Sequence, residues 1–382
     1  NEPLRAAYIS ARIDRLPAVA TIWRLVALLS IAGFFELYDL FQTAYISPGL
    51  IREGIFATGS QGLFGFSDQA AFASATFLGL FFGASLVSPI ADRYGRRAIF
   101  TFALIWYTVA TVIMGLQTSA LGVIGMRFVV GIGLGVELVT IDTYLSELVP
   151  KRIRSSAFAF AFFIQFLSVP SVALMSWWLV PQDPFGFSGW RWVVISSAVF
   201  ALFVWWLRSA LPESPRWLAS KGRFDEAQDV LEQLRPSTQD AQREIDEMKA
   251  QDEEARHRPK ARELLRQRWV IKLLLIGVGL GFTAQFTGVN AFMYYTPIIL
   301  KNTGMGTNAA LTATIGNGVV SVIATLLGIW AIGRYGRRHL LMTGLVIVIL
   351  MQAALGCVLQ FMPQNMTQSY TALACILVFL LF

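Results

Sequence analysis

Ten apolar runs follow one another along this chain, each near the length of about 20 residues that a helix needs to cross a bilayer. They lie near 23–46, 70–90, 98–117, 121–144, 155–179, 190–211, 269–296, 309–332, 339–359 and from 370 onward. One such run is compatible with a buried helix of a soluble protein. So many in series, with almost no polar face, require lipid as the solvent. With 55% of its residues hydrophobic and 14% charged, the chain lies outside the balance of soluble domains. An all-α membrane protein is the expected fold class. A signal peptide does not fit the first run, because it is long and the chain stays hydrophobic after it. The chain opens on Asn1 and closes on Phe382 inside an apolar run, so it is read as a fragment with nine complete spans and part of a tenth.

A net charge of +7 raises the question of nucleic acid, but the basic residues sit in short clusters between apolar runs rather than on one face. Nucleic acid is therefore excluded. Arg5, Arg12, Arg15 and Arg24 precede the first span; Arg93, Arg96 and Arg97 follow the second; Lys151, Arg152 and Arg154 follow the fourth; Arg334, Arg337 and Arg338 follow the eighth. The opposite loops hold only Arg52, Arg191 and Lys301. Positive residues are retained in the cytoplasm, so a cytoplasmic N-terminus is expected in a multi-pass protein of the cell membrane. Three regions follow: a six-helix bundle over 1–207, a cytoplasmic linker over 208–268, and a partial second bundle over 269–382. Helical periodicity in the linker runs from Phe224 to Leu234 and from Ala241 to Met248.

Several chemistries are absent from the pattern. Cys357 and Cys375 lie in apolar stretches without CxxC spacing, and His257 and His339 are the only histidines, so neither a disulfide framework nor a metal site is indicated. No phosphate-cradling GxxxxGK[ST] loop is present, which removes an ATP-driven pump. No enzyme activity and no cofactor are expected. The runs Gly131 to Gly135 and Gly277 to Gly281, lying inside apolar spans, are expected to permit close helix packing rather than to bind nucleotide.

The segment from Asp92 to Arg97, DRYGRR, returns as GRYGRR from Gly333 to Arg338, each copy between the second and third span of its half. Tandem halves of this kind give secondary transporters two packings around one central site. With Arg127-Phe-Val-Val-Gly-Ile-Gly-Leu-Gly135, Tyr144-Leu-Ser-Glu147, Pro212-Glu-Ser-Pro-Arg-Trp-Leu218, Gln285-Phe-Thr-Gly-Val-Asn290 and Tyr294-Tyr295, the chain resembles the sugar-porter-like group of the major facilitator superfamily over essentially its whole length. The resemblance implies two pseudo-symmetric six-helix bundles, of which about ten of twelve helices are present. It also implies alternating access for a small solute and a proton, in the lipid bilayer, by a protein expected to be a monomer.

Charges within spans cost about 2.5–3.5 kcal/mol each on the insertion scale, so each is a functional candidate. Glu36 and Asp39 share a face of the first span at a spacing of three, and Arg127 and Glu137 lie in the fourth, with Asp142 nearer its end. The resemblance implies that Asp39 accepts the proton and that Arg127 is its partner. The alternative is a static ion pair that fixes helix packing, and Glu36 has the further alternative of a solvated position on the cavity wall. The resemblance likewise implies a cytoplasmic gate of Asp92, Arg93, Arg97, Glu147, Arg154, Glu213, Arg216, Arg334 and Arg338, which independent surface anchors would also explain. Two departures weaken it: Gly333 stands where the repeat would carry an acid, and Ser88 where a glycine is expected.

Gly288, Asn290 and Pro297 interrupt the seventh span, which makes Gln285 and Asn290 the leading solute ligands. Phe162, Gln165, Tyr294 and Glu137 complete the expected set. Sugar porters carry paired glutamines where this chain has Ala284-Gln285, and another glutamine where it has Phe162, with Gln165 one turn later. Phe158, Phe162 and Phe166 are spaced to stack on a ring or to form a packing or lipid-facing stripe. With Glu36-Leu-Tyr-Asp39 and the lead-in from Ala11 to Pro17, these departures resemble nicotinate and aromatic-acid carriers. Proton symport of a small organic or aromatic acid is therefore ranked before sugar or polyol symport. Antiport ranks lower, because the fifth span reads Leu167-Ser-Val-Pro-Ser171, and a nutrient sensor on the same fold is the non-transport alternative.

Overall fold

In a computed structural model of the chain, residues 20–57, 66–87, 90–207, 211–235, 238–256, 267–303 and 307–382 are described. Every regular element among them is helical. The first group is α1 (Ala20–Arg52), α2 (Asp68–Phe82), α3 (Arg96–Gly115), α4 (Ala120–Leu148), α5 (Lys151–Phe166), α6 (Ser168–Leu179) and α7 (Gly189–Leu207). Three polar helices follow, α8 (Pro215–Ser220), α9 (Phe224–Leu234) and α10 (Thr238–Arg256). The last group is α11 (Arg268–Phe286), α12 (Val289–Asn302), α13 (Thr307–Tyr335), α14 (Arg337–Phe361) and α15 (Met366–Leu381). Eight helices among the described residues are long and apolar enough to cross a membrane, and α15 is a shorter apolar one.

Each of the ten apolar runs is helical over most of its described residues, but three are not single helices. The second, expected to run to 90, ends its α-helix at Phe82 and continues as a π turn over Gly83–Val87. Here Gly83 meets the next helix so closely that a Cβ would lie 2.0 Å from the Ile132 carbonyl oxygen. The fifth breaks into α5 and α6 at Leu167, three residues ahead of Pro170, which has no N–H to close a bond onto the Phe166 carbonyl. The seventh breaks at Thr287 and Gly288, where Gly288 takes φ 81°, a conformation open to glycine. The two RYGRR copies turn alike: Gly95 at φ 100° precedes α3, and Gly336 at φ 78° precedes α14.

Helices α2 and α4 interleave through small residues. A Cβ on Gly79 would sit 2.3 Å from the Phe128 carbonyl oxygen, on Gly131 2.6 Å from that of Thr76, and on Gly135 2.3 Å from that of Leu80. Backbones in such contact gain dispersion that larger side chains would forbid. The second glycine run behaves otherwise. Gly277, Gly279 and Gly281 have nothing within 4 Å of a built Cβ, because α11 buries none of its residues against the described elements.

The two helix groups meet through α13, whose Gly318 would place a Cβ 2.6 Å from the Pro170 nitrogen of α6, and through a shared core that includes Phe41, Val169, Met293, Tyr294 and Ile376. The polar helices between the groups carry a core of their own, in which Trp217, Leu218, Ala227, Leu231, Ala241 and Ile245 pack together. Arg235 Nε reaches Glu244 Oε2 at 2.7 Å and ties the start of α10 to the end of α9. The periodicity from Phe224 to Leu234 coincides with α9, and that from Ala241 to Met248 lies within α10. The lead-in Ala11 to Pro17, with Arg5, Arg12 and Arg15, and Ser88 lie outside the described residues.

Overpacking a filled contact typically costs about 1–3 kcal/mol. Gly79→Val and Gly135→Leu are each expected to lower the thermal unfolding temperature of the purified protein, while Gly279→Ala leaves it unchanged or raises it.

Candidate functional site

At the centre of the first group, α4 sends Arg127 to the carboxylate of Asp39 on α1. Both side chains are enclosed, at 0% and 1% exposure, and Arg127 Nη1 lies 2.6 Å from Asp39 Oδ1. The guanidinium also donates from Nη2 to the carbonyls of Asp39 at 2.7 Å and Leu40 at 3.2 Å, and from Nε to Thr76 Oγ1 of α2 at 3.1 Å. Asp39 Oδ1 accepts a second bond from Gln42 Nε2 at 2.7 Å. Its Oδ2 faces Thr111 Oγ1 of α3 at 3.2 Å and Ser197 Oγ of α7 at 3.3 Å, with the Ser197 proton shared with the Val194 carbonyl at 2.8 Å. Five elements thus converge on one ion pair. In a low dielectric that is the condition for burying it, since each ion loses its water and regains hydrogen bonds.

A sixth element joins from the other group. Tyr294 of α12 donates its hydroxyl to the Leu40 carbonyl at 2.8 Å, the same oxygen that Arg127 Nη2 approaches. Tyr294, expected among the solute ligands, therefore sits on the backbone beside the ion pair and is buried there. Glu36 on α1 and Glu137 on α4 are both buried. A solvated position for Glu36 on the cavity wall does not fit, because the residue is 4% exposed. Gln165 packs its amide on α1, where a Cβ on Gly33 would lie 2.5 Å from Nε2.

The remaining ligand candidates lie apart. Asn290 Nδ2 donates to Gln285 Oε1 at 2.9 Å across the break between α11 and α12, so these two carboxamides form one unit. Phe162 is 41% exposed on α5 and tilts against Phe158 at a centroid distance of 6.3 Å. Pro297 falls inside α12, and its side chain lies outside the described residues.

The gate residues separate into two groups. Glu213 accepts the backbone N–H groups of Arg96 at 3.0 Å and Arg97 at 3.2 Å, placing a carboxylate on the N-terminus of α3, where the helix dipole favours it. Glu147 of α4 pairs with Arg96 Nη2 at 3.2 Å, and Arg154 Nη2 donates to the Val149 carbonyl at 3.3 Å. Arg96, absent from the expected gate, is thus the side chain that links the second-to-third loop to α4. Arg93 lies over the Tyr94 ring at 5.5 Å and Arg334 over Trp330 at 5.7 Å, while Arg216 and Arg338 are exposed. The Asp92 side chain lies outside the described residues.

The opposite end of the group is stapled by residues that the sequence did not single out. Arg191 Nη2 reaches Glu53 Oε1 at 2.8 Å, Arg191 Nη1 donates to the Gly115 carbonyl at 2.5 Å, and Trp190 Nε1 donates to Glu53 Oε2 at 2.5 Å. Burial pushes the Glu53 carboxyl up. Hydrogen bonds from Arg191, Trp190 and Ser188, with the Arg191 charge, outweigh burial and hold it below the usual carboxylate range.

A model of the sugar (and other) transporter family matches residues 25–382. The chain belongs to this family. It is 34% identical over 319 residues to "Putative metabolite transport protein YfiG" of Bacillus subtilis (strain 168), covering 81% of this chain and 64% of that protein. It is 34% identical over 278 residues to "Major myo-inositol transporter IolT" of the same organism, covering 72% of this chain and 58% of the relative. The chain therefore spans between 58% and 64% of the length of these curated relatives. The structure of the xylose transporter XylE from E. coli, described elsewhere as a proton:xylose symporter of the major facilitator superfamily, matches with a TM-score of 0.77 at 23% identity, covering 94% of this chain and 83% of that one. The fold is that of the major facilitator superfamily, and this member of the sugar transporter family is a multi-pass membrane protein.

Two outcomes test this geometry. Removing one partner of a buried pair costs about 3–5 kcal/mol. Arg127→Met should therefore lower thermal stability sharply, and the Asp39→Leu/Arg127→Met double variant should lose much less than the sum of its singles. Because the Glu53 carboxyl is held low in the folded state, the staple's stability is present above the unfolded carboxylate value of about 4.3 and fades as pH falls through the folded value. Glu53→Gln should flatten that acid limb of melting temperature against pH.

Proposed function

We propose that the protein to which this chain belongs is a proton-coupled secondary transporter of a sugar or polyol, working by alternating access. The observation that carries the proposal is the enclosed Arg127–Asp39 pair, with the Tyr294 hydroxyl of α12 on the adjacent Leu40 carbonyl. Protonation of Asp39 removes the charge that the guanidinium balances and one oxygen that it bonds. Arg127 then leans on the Asp39 and Leu40 carbonyls and the Thr76 hydroxyl, and the contact of α12 with α1 responds. Such an element has two arrangements biased by one proton, as coupling requires. One charge moving across 100 mV supplies about 2.3 kcal/mol, enough to drive accumulation.

The sugar or polyol reading takes precedence over the organic acid ranked first from the sequence. Support comes from the myo-inositol and xylose transporters among the chain's relatives and structural neighbours. It also comes from the joined carboxamides of Gln285 and Asn290, whose donors and acceptors suit paired hydroxyls. The acid reading keeps one observation in its favour, the tilted Phe158 and Phe162 pair in a span where sugar porters carry a glutamine.

Uptake of labelled myo-inositol, xylose and nicotinate into proteoliposomes carrying the full-length protein, with and without an inward proton gradient, separates these readings. Gradient-driven accumulation of myo-inositol or xylose is expected. Asn290→Ala should raise KM about tenfold, equivalent to about 1.4 kcal/mol. Accumulation of nicotinate alone would restore the acid carrier, and binding without flux would point to a sensor.

A further inference from the structure

The two carboxylate oxygens of Asp39 have different surroundings. Oδ1 takes the bonds of Arg127 and Gln42, whereas Oδ2 is turned to the hydroxyls of Thr111 on α3 and Ser197 on α7. Residues three or four apart share a face of a helix, so each of these helices can be followed from that layer toward the staple. On α1 the face of Asp39 continues through Ile46 and Leu50 to Glu53, whose N–H closes onto the Gly49 carbonyl just past the helix end. On α3 it continues from Thr111 to Met114 and Gly115, and on α7 from Ser197 back through Val194 to Arg191. Ile46, Leu50, Met114 and Val194 are fully buried in one shared core. A Cβ on Gly115 would meet Val194 Cγ1 at 3.4 Å, which places α3 against α7 in this layer.

The same three helices are tied again beyond the apolar layer. Arg191 of α7 holds Glu53 at the end of α1 at 2.8 Å and the Gly115 carbonyl at the end of α3 at 2.5 Å. Trp190 backs this contact, with Nε1 on Glu53 Oε2 and its Cβ only 2.8 Å from where a Cβ on Gly49 would lie. Arg52 fastens the segment before α7 to α1 through Asp183 and the Pro181 carbonyl. A filled apolar layer stays dry, and a proton crosses it only if water or polar groups enter. We propose that the Glu53–Arg191 staple is a proton seal, clamping α1, α3 and α7 over the apolar layer so that Asp39 exchanges its proton only where the two helix groups part, on the side of Tyr294. The proposal rests on coupling through Asp39 as set out above. Glu53, Arg191 and Trp190 are positioning residues in it, since they act on the proton site through the helices that they hold.

Proton flux into proteoliposomes carrying the full-length protein, followed with an entrapped pH-sensitive dye after a pH step and without solute, tests the seal. The parent is expected to be as tight as protein-free vesicles. Glu53→Gln and Arg191→Met should raise the flux several-fold, and should lower gradient-driven accumulation of myo-inositol or xylose more than exchange at equal pH. Adding Asp39→Asn to either variant should abolish the leak, a dependence that mere loosening of the bundle would not produce. Glu53→Gln keeps the side chain's size, and Gly49→Ala, which crowds Trp190 from α1 with both charges in place, should leak likewise, so the result does not hang on the folding of one variant. Staple variants that fold and are no leakier than the parent, or a leak that persists with Asp39→Asn, would overturn the proposal. Parent uptake that ignores the proton gradient would remove coupling through Asp39 and the seal with it, whereas a coupled parent with tight staple variants would remove the seal alone.

Discussion

An arginine and an aspartate without water, held at 2.6 Å in the middle of a helical bundle, organise everything around them. The pair is tolerable only because Gln42, Thr76, Thr111 and Ser197, with two backbone carbonyls of α1, replace the lost hydration. Those groups come from α1, α2, α3 and α7, so with Arg127 on α4 the pair fixes how five elements are placed. The glycine contacts of α2 with α4 bring the backbones close enough for Thr76 to reach the guanidinium. Stability and chemistry share one set of atoms, and any change in the protonation of Asp39 must be felt as a change in packing.

That link extends to the second helix group through a single hydroxyl. The Leu40 carbonyl takes Tyr294 from α12 and lies within reach of Arg127, so the broken seventh span touches the ion pair without entering it. The break at Gly288 separates α12 from α11, and the Asn290 and Gln285 amides are joined across it. Near the loop that precedes α3, Glu213 and Glu147 hold Arg96 and the first turn of that helix. One carboxylate there satisfies two backbone donors at the start of α3.

Much of this was legible in the residues. Ten apolar runs pointed to the helices, eight of which among the described residues are long and apolar enough to cross a membrane; the repeated RYGRR pointed to the like turns before α3 and α14, and the family resemblance paired Asp39 with Arg127. What stayed hidden depended on side chains with no unusual cost. Thr111, Ser197 and Gln42 are ordinary in apolar helices, and only Gln42, three residues after Asp39, shared a helical face with a candidate. Arg96 could not be told from its neighbours Arg93 and Arg97, because all three share one basic cluster and the contact with Glu147 is made only in the folded chain. The π turn after Phe82 begins at Gly83, which meets Ile132 too closely for a Cβ, a contact that no local pattern encodes. Gly277, Gly279 and Gly281 copied the spacing of a packing run on a helix with no neighbour at those positions among the described residues. Tyr294 was expected among the solute ligands, and its hydroxyl goes to a backbone oxygen that only the assembled halves bring near.

The most direct test of the account compares two fluxes in Asp39→Asn of the full-length protein in proteoliposomes. One is exchange of labelled myo-inositol or xylose at equal pH on both sides, and the other is accumulation driven by an inward proton gradient. Exchange that persists while accumulation disappears is the predicted result, because the bundle still rocks but no longer reads the proton. Accumulation at the parent level in Asp39→Asn would contradict the central role of this carboxylate.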